Sequence, residues 1–494
     1  MTKEKNNSVT ENDRYNRATK MQLFLFSFNN LSTNLPFMIV TGYMLFYAQS
    51  YLMLSAVIVG WIITGMRLFD GFTDPLIGFL IDRTDSKFGK FRPWIFIGNI
   101  IINITFIVMF SMINTDWSVP VKLFVFILFY VLHIIGYSMQ TASTKGGGTV
   151  ITSDPSQRSI LAMYMGAIGG VIMVLFMSVI PLMAGRYELN MLDPEFWQDL
   201  VIMTSILSFI FMLLAIVGLW KKDVKENYQG FKNTKVKLID FWYIIKGNRA
   251  IQMLIISAAT DKLAYVMLAA VQVYLYSNIF MDQGLQAIMG FVTLPLVVIF
   301  TVIGSRIGVK ITQKNAFVVM TWVSLITSVI SLFFFPSAGA TTASFTVIMF
   351  LIFFSLRTGA SQVPGTFVVT MISDCSDYEV YLSGKSTPGM MGTLFSFIDK
   401  LVSSLNGVII ALMFGLFGLA NTVIVPLTPA TDYPGLELII ITGMIIMPIL
   451  GYVASIIAMK YYPLDKQKMD EVKEVIALYK ENSQDPRSAE LENN

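Results

Sequence analysis

Residues 66–93 read Met66-Arg-Leu-Phe-Asp-Gly-Phe-Thr-Asp-Pro-Leu-Ile-Gly-Phe-Leu-Ile-Asp-Arg-Thr-Asp-Ser-Lys-Phe-Gly-Lys-Phe-Arg-Pro93. This stretch places Arg67, Asp70 and Asp74 inside an otherwise apolar helix that ends in a charged turn. A carboxylate near the centre of a bilayer costs roughly 2.5 to 3.5 kcal/mol on insertion scales, so two on one helix need a compensating use. The pattern therefore predicts an ion pathway in a membrane-spanning protein.

The composition of the whole chain also indicates an integral membrane protein. Of 494 residues, 55% are hydrophobic and only 14% are charged, and the mean hydropathy is +0.65. A soluble chain of this length is less apolar. The formal net charge of +3 gives no reason to expect nucleic-acid binding, and a single cysteine excludes an internal disulfide framework.

Hydropathy predicts an all-α membrane fold of about twelve spans in two six-helix bundles, taking about 20 apolar residues per crossing. The predicted spans are 22–48, 55–81, 92–112, 121–152, 159–184, 198–220, 250–278, 285–308, 315–335, 343–372, 390–418 and 436–461. The corresponding segments are a tail 1–21, a bundle 22–220, a linker 221–249, a second bundle 250–462, and a tail 463–494 with a short amphipathic helix.

The loop charges predict the orientation. Lys and Arg concentrate in loops on one side of the spans, whereas loops such as 49–54 and 336–342 on the other side carry none. Positively charged loops stay in the cytosol. We therefore expect a multi-pass protein of the plasma membrane with both termini, and the linker between the bundles, in the cytoplasm.

Three oxygen-bearing residues of the second span share one helix face, because Asp70, Thr73 and Asp74 are spaced at i, i+3 and i+4. Ser138, at a comparable depth on the fourth span, adds a hydroxyl. Such a cluster can hold a small hard cation such as Na⁺. Two close carboxylates in a low dielectric suit a proton carrier equally well. The structural alternative is that Arg67 merely neutralises Asp70.

Further charges are expected inside the membrane. Lys400, next to Asp399, lies near the middle of the eleventh span, where it serves substrate or ion coupling or is a fixed counter-ion for the second-span acids. Arg357 lies at a similar depth among small and polar residues. A guanidinium binds carboxylate, sulfonate or phosphate with two hydrogen bonds, so Arg357 is a candidate anion ligand or a structural hydrogen-bond donor.

Two other charged positions leave alternatives open. Lys145 precedes three glycines, Gly146–Gly148, which suggest a flexible or cavity-lining stretch, although Lys145 can also extend to the lipid headgroups. Asp261 and Lys262 in the seventh span either gate the two halves or neutralise each other. Cys375 is expected in a cytoplasmic loop without a chemical role.

Three motifs and one lysine have a counterpart in a known family. They are Arg67-Leu-Phe-Asp-Gly-Phe-Thr-Asp-Pro75, Gly89-Lys-Phe-Arg-Pro93, Asp374-Cys-Ser-Asp-Tyr-Glu-Val-Tyr-Leu-Ser-Gly384 and Lys400. With them the chain resembles the glycoside, pentoside and hexuronide to cation symporters, a branch of the major facilitator superfamily that includes the melibiose and glucuronide carriers. The resemblance implies two bundles that alternate access. It also implies a cation site at Asp70 and Asp74 flanked by Thr73 and Ser138, and Lys400 near the sugar and cation sites.

The chain departs from the melibiose type at its sugar-binding positions. Asn29 or Asn30 and Thr141 stand where those carriers have acids, and Lys145 stands where they have a tryptophan. Fewer acids and more bases favour an anionic ligand by Coulomb attraction in a low-dielectric pocket. The predicted substrate-binding residues are Asn29, Asn30, Thr141, Lys145, Arg357 and Lys400, and the predicted charge network comprises Arg67, Asp261, Lys262 and Asp399.

Together these patterns predict a symporter that imports a sugar or glycoside, possible anionic forms being a hexuronide or a sulfonated sugar. Its partners would be that small molecule, the lipid bilayer and Na⁺ or H⁺ as the coupling ion, with no other cofactor and no nucleic acid. A polytopic membrane enzyme, such as a glycosyl or acyl transferase, is the rival from another class. One histidine and no cluster with metal-ligand spacing argue against it. A lysolipid-type carrier is the alternative within the family.

Overall fold

A computed structural model describes residues 16–152, 154–224, 245–383 and 388–484. Within these ranges all regular structure is helical. The α-helices are α1 (Lys20–Phe46), α2 (Ala56–Asp82), α3 (Arg92–Ile107), α4 (Val119–Ile151), α5 (Pro155–Ala184), α6 (Pro194–Leu219), α7 (Arg249–Tyr274), α8 (Gly284–Lys310), α9 (Gln313–Phe333), α10 (Phe345–Ser361), α11 (Val363–Ser383), α12 (Pro388–Leu416), α13 (Leu436–Ile441), α14 (Met447–Lys460) and α15 (Lys466–Gln484).

Some spans extend beyond their α-helices through π-helical turns, in which the backbone bond runs from i to i+5. These turns cover Tyr47–Tyr51, Val108–Met112, Leu275–Ile279 and Thr442–Ile446. With them, twelve helical segments of the described ranges are long and apolar enough to cross a bilayer. The prediction of an all-helical membrane fold with about twelve spans is confirmed.

The tenth span differs from its prediction, which placed one helix over 343–372. The helix is interrupted at Gln362 and resumes as α11, whose second residue is Pro364. A proline lacks an N–H group and fits the first turn of a helix, so the interruption has a local cause. The new helix continues to Ser383, beyond the predicted end of the span. One of its faces is still buried near that end, through Met371 and Cys375, although the sequence becomes less hydrophobic. The expectation that Cys375 lies in a loop is wrong.

Contacts divide the chain into two compact units. The first contains the described residues of Met1–Leu54 and Leu68–Asn233, and the second those of Ser55–Arg67 and Thr234–Asn494. The beginning of α2 is counted with the second unit because a Cβ added at Gly60 would lie 2.4 Å from the carbonyl oxygen of Gly407 on α12. Only glycines permit so close an approach of two helix backbones.

Each unit has its own apolar core. Phe26, Ile95 and Leu219 belong to a buried cluster of the first unit. Phe317 and Met371 belong to that of the second, against which the segment after the last span also packs. The helix α15 lies in the segment where the sequence predicts a short amphipathic helix. Residues 1–15, 225–244 and 485–494 of the predicted tails and linker lie outside the described residues.

Candidate functional site

Oxygen-bearing side chains of α2 and α4 form a cluster in the first unit. Asp70 is 1% exposed, and Thr73 and Ser138 are also buried. The Ser138 hydroxyl donates to Asp70 Oδ1 at 3.3 Å and lies 2.8 Å from Thr73 Oγ1. Thr73 in turn donates to the backbone carbonyl of Asp70 at 3.1 Å. The structure thus brings together three of the four predicted cation-site residues.

Arg67 and Asp74 of the same helix are less buried than Asp70. Asp74 follows Asp70 by one turn and is half-buried, as is Arg67, which belongs to the part of α2 counted with the second unit. Carboxylate, hydroxyl and carbonyl oxygens are the ligands of hard cations, and a carboxylate can equally bind a proton. The described ranges contain no group of three or more His, Cys, Asp or Glu residues suited to a metal. A cation bound here would therefore rely on hydroxyl and carbonyl oxygens beside the acids.

A cavity of about 440 Å³ opens in the first unit among α1, α4 and α5. Asn30, Thr141 and Lys145, three of the predicted substrate-binding residues, line it. Its described lining also includes Thr33, Asn34, Tyr137, Thr144, Gly148, Thr149, Arg158, Leu161 and Met165. Pockets for small molecules commonly have volumes of about 300–1,000 Å³, so this one can hold a sugar derivative.

Asn29 does not line this cavity, unlike its neighbour. Its side chain is fully buried, and its Nδ2 donates to Thr144 Oγ1 at 2.6 Å. Asn30 accepts a hydrogen bond from the amide of Asn34, one turn further along α1. The structure therefore favours Asn30 over Asn29 at the position that the sequence left open.

Sequence reasoning missed Tyr137 and Arg158 as lining residues. Tyr137 was detectable, because Tyr137, Thr141 and Lys145 are spaced by four residues and must share one face of α4. Tyr137 also stacks on Phe37 with ring centroids 4.5 Å apart. Arg158 lies in the first turn of a different helix, α5, so no local pattern connects it to the cavity.

The glycines after Lys145 serve close packing within a continuous helix and not flexibility. A Cβ at Gly146 would lie 2.2 Å from Cε1 of Phe91, and one at Gly147 would lie 2.8 Å from Cζ of Phe26. Real Cβ atoms do not approach other atoms that closely. The expectation of a flexible stretch is wrong, whereas that of a cavity-lining one holds for Gly148.

A second cavity, of about 270 Å³, lies within the second unit. Four residues singled out in the sequence line it, namely Asp261, Lys262, Arg357 and Asp399. Lys262 forms its ion pair with Asp399 of α12. Asp261 accepts a hydrogen bond from Ser455 of α14 at 3.2 Å. The adjacent residues Asp261 and Lys262 therefore do not neutralise each other, and that alternative is wrong.

Arg357 is only 2% exposed and has a defined packing role. Its Nη1 donates to the carbonyl of Met444 at 3.0 Å, and its guanidinium lies 4.6 Å from the centre of the Phe354 ring. Met444 belongs to the π-helical turn Thr442–Ile446, where the helix hydrogen-bond pattern changes. Arg357 also lines the second cavity, and its buried Nε has no hydrogen-bond partner among the described residues, so Arg357 stays a candidate ligand for an anion.

Lys400 does not appear among the described residues that line either cavity. It is half-buried, one position after Asp399 on α12, and its carbonyl accepts a hydrogen bond from Ser403 at 3.1 Å. Adjacent helix positions point about 100° apart, so Asp399 and Lys400 face different surroundings.

The sequence of the chain matches one family over nearly its whole length. The model of the family described as MFS/sugar transport protein covers residues 25–466. The chain belongs to this family. It is therefore a multi-pass membrane transporter and not an enzyme, which excludes the glycosyl or acyl transferase alternative. The resemblance to the cation symporters of glycosides, pentosides and hexuronides is confirmed.

Curated relatives of the transporter are similar over most of their length. The inner membrane symporter YicJ of Escherichia coli (strain K12) is 26% identical over 451 residues, which cover 90% of this chain and 91% of the relative. The glucuronide carrier protein homolog of the same organism is 24% identical over 458 residues, covering 90% of this chain and 93% of the relative.

A solved structure supports the fold of the transporter. The crystal structure of the nucleoside transporter NupG aligns with a TM-score of 0.60 and 12% sequence identity, covering 90% of this chain and all of that one. At this identity the likeness concerns the fold alone, which is the major facilitator fold predicted from the sequence.

Proposed function

We propose that this transporter imports an anionic sugar or glycoside by symport with Na⁺ or H⁺, through alternating access. We infer an anionic substrate from the positive charge of the first-unit cavity. Of the described residues that line it, only Lys145 and Arg158 are charged, and both are basic. A carboxylate or sulfonate on the substrate would compensate them, whereas a neutral sugar would leave two cations uncompensated.

The remaining lining residues suit a sugar. Amide and hydroxyl groups of Asn30, Thr141 and Thr149 can exchange hydrogen bonds with sugar hydroxyls, and the Tyr137 ring offers an apolar face. Arg158 also donates to the carbonyl of Thr152 at 3.2 Å, which limits its movement. Arg357 and Lys400 are further candidates for substrate contacts.

The Asp70 cluster supports coupling to a cation. The buried Asp70 carboxylate accepts a hydrogen bond from Ser138 of another helix, and the Ser138 hydroxyl contacts that of Thr73. This arrangement offers a small site of the right chemistry for Na⁺ or a proton. Asp70 and Asp74 are the proposed cation ligands, with Thr73 and Ser138 beside them.

The substrate class is tested with the purified protein in proteoliposomes. We expect para-nitrophenyl β-glucuronide to compete with labelled glucuronate uptake, whereas the neutral para-nitrophenyl β-glucoside does not. Lys145→Gln and Arg158→Gln should each weaken glucuronide binding by about tenfold to a hundredfold, because a charge-assisted contact contributes about 1.5–3 kcal/mol. Lys310→Gln, an exposed position in the other unit, is the control. Equal competition by both compounds would refute the anionic substrate.

The loop charges support a plasma-membrane orientation with both termini in the cytosol. Cysteines introduced in place of Ser8 and Ser488, each in a variant with Cys375→Ser, should react with an impermeant maleimide only after the cell membrane is opened. Labelling of intact cells at either position would contradict this orientation.

A further inference from the structure

Asp261 is an acid of the second-unit cavity that accepts a hydrogen bond and forms no ion pair with the described residues. Its neighbour Lys262 is paired with Asp399, and the Ser455 hydroxyl donates to Asp261 Oδ2 at 3.2 Å. Ser455 also lies 2.6 Å from the Ser257 hydroxyl. The second oxygen, Oδ1, is buried and has no hydrogen-bond partner among the described residues.

Charged and titratable groups approach this acid from several of the helices packed against it. Tyr452 comes from α14 and Arg357 from α10, and Tyr452 interacts electrostatically with both Asp261 and Arg357. Asp399 comes from α12, and Tyr265 lies one turn along α7. The lining residues of α11, Pro364, Gly365 and Val368, are not titratable. Arg357 directs a hydrogen bond to the Met444 carbonyl, not to Asp261.

The energetic consequence follows from the burial of Oδ1, although Asp261 as a whole is half-buried. An ionised carboxylate removed from water without a cation is far less stable than the neutral acid, so such a group takes up a proton. The neutral acid avoids most of this cost and keeps the hydrogen bond that Ser455 donates to Oδ2. A metal ion is a poorer fit, because hard cations need about six oxygen ligands. The hydroxyl that contacts Asp261 is already bonded to a second hydroxyl, that of Ser257, and the Asp399 carboxylate is paired with Lys262.

We propose that Asp261 is a proton-binding site of the second unit, distinct in its residues from the Asp70 cluster. The neutral carboxyl releases its proton to water that enters the cavity, leaving a carboxylate for which Lys262 then competes with Asp399. The proton returns to Asp261 when water leaves the cavity and the Lys262–Asp399 ion pair forms again. The proposal deepens the proposed cation-coupled transport and rests on it for its physiological use, whereas the protonation itself requires no substrate.

The experiment is infrared difference spectroscopy of the full-length protein in lipid, titrated with pH without any sugar. The carbonyl stretch of a protonated carboxylic acid should be present at neutral pH and disappear as the pH rises. It should be missing from Asp261→Asn and unchanged in Asp282→Asn, an exposed acid of the same unit. Ser455→Ala should keep the band and raise its frequency, because a hydrogen-bond donor to the carboxyl is lost.

Two results would overturn the proposal. One is a spectrum of Asp261→Asn that equals the wild-type spectrum while Ser455→Ala shows no frequency shift. The other is loss of the Asp261 band on adding Na⁺ at constant pH, which would assign the acid to a metal ion. Either result can occur while glucuronide uptake by the wild type is intact. Conversely, a present band with no glucuronide uptake would refute the proposed substrate and leave the proton site standing.

Discussion

The first helices of the two units end in the same way, although their sequences differ. Each passes from an α-helix into a π-helical turn, Tyr47–Tyr51 in one unit and Leu275–Ile279 in the other. The N–H of Leu54 then bonds the Ala48 carbonyl at 2.8 Å, and the N–H of Asp282 bonds the Tyr276 carbonyl at 3.0 Å. In both turns the residue before the donor is a methionine with left-handed backbone angles, Met53 in one and Met281 in the other. This shared geometry is the signature of an internal repeat.

Aligning the repeats by these bonds shows where the chemistry has diverged. Thr33 of the first unit corresponds to Asp261 of the second, and Asn34 corresponds to Lys262. All four line the cavity of their own unit. Thr33 donates to Gln140 at 3.2 Å, whereas Asp261 accepts from Ser455. The same backbone thus presents neutral polar groups in one unit and an acid and a base in the other.

In the first unit the start of α3 contacts the chain after α6, and in the second the start of α9 contacts the chain after α14. The charged side chains that make these two contacts have opposite signs. In the first unit, the Asp223 carboxylate accepts the backbone N–H groups of Lys90, Phe91 and Arg92 at 2.9–3.0 Å. In the second, the amine of Lys314 donates to the Tyr462 carbonyl at 2.6 Å. One unit uses an acid on the later segment, and the other uses a base on the earlier one.

The largest effect is expected at the Asp223 contact. Asp223→Ala leaves three N–H groups without their acceptor in a buried place, so it should lower stability by about 3–5 kcal/mol. Lys314→Met removes one hydrogen bond from a half-exposed amine and should cost about 1–2 kcal/mol. Thermal unfolding of the purified variants in detergent measures both. Asp116→Ala, at an exposed turn, is the control, and equal losses for Asp223 and Lys314 would remove the asymmetry between the units.

The second prediction separates the buried acids of the two units. Asp70→Asn should reduce gradient-driven accumulation of glucuronide by about tenfold to a hundredfold. The reason is that the bound cation loses one charge-assisted contact, and such a contact changes an affinity by about this factor. Equilibrium binding of the glucuronide should persist. Accumulation in proteoliposomes under a Na⁺ gradient and under a pH gradient is the measurement.

The control for this prediction is Asp282→Asn, which lies outside the membrane spans. Asp261→Asn should keep any Na⁺ dependence seen in the wild type, because its proposed ligand is a proton. Wild-type accumulation by Asp70→Asn would show that the first-unit cluster does not couple transport to a cation.

The sequence predicted the elements whose cause is local. A carboxylate in an apolar run is visible without a structure, so Asp70, Asp74 and their hydroxyl neighbour Thr73 were placed on one face of the second span. The spans themselves follow from windows of about 20 predominantly apolar residues. Tyr137 was within reach of the same periodicity.

Other features depend on contacts between residues far apart in the chain. Nothing near Lys262 in the sequence indicates that it pairs with Asp399, 137 positions away, instead of Asp261. The end of α11 was missed because a hydropathy average declines while Met371 and Cys375 still bury one helix face. The packing of Gly146 against Phe91 is likewise a contact between distant residues. Because the sequence does not show it, the three glycines after Lys145 suggested flexibility instead.

The third prediction compares two close helix contacts, that of α6 with α1 in the first unit and that of α14 with α7 in the second. A Cβ at Gly218 of α6 would lie 2.7 Å from the backbone nitrogen of Phe26, whereas one at Gly451 of α14 would lie 3.0 Å from the Thr260 carbonyl. Gly218→Ala should therefore cost about 1–3 kcal/mol, and Gly451→Ala less. Thermal unfolding in detergent is again the measurement. Gly170→Ala, with nothing within 4 Å, is the control and should be neutral or stabilising.

The smallest effect is expected at the two left-handed methionines of the repeat. Met53 has φ of 56° and Met281 has φ of 53°, a region that costs a residue with a Cβ roughly 1–2 kcal/mol. Met53 is exposed, so Met53→Gly relieves the strain with little lost packing and should raise stability by about 0.5–1 kcal/mol. Met281→Gly should gain less, because its Cε packs near Gly339. If both substitutions lower the unfolding temperature alike, the shared turn is held by side-chain packing in both units, and the methionines, not the backbone bonds, define the repeat.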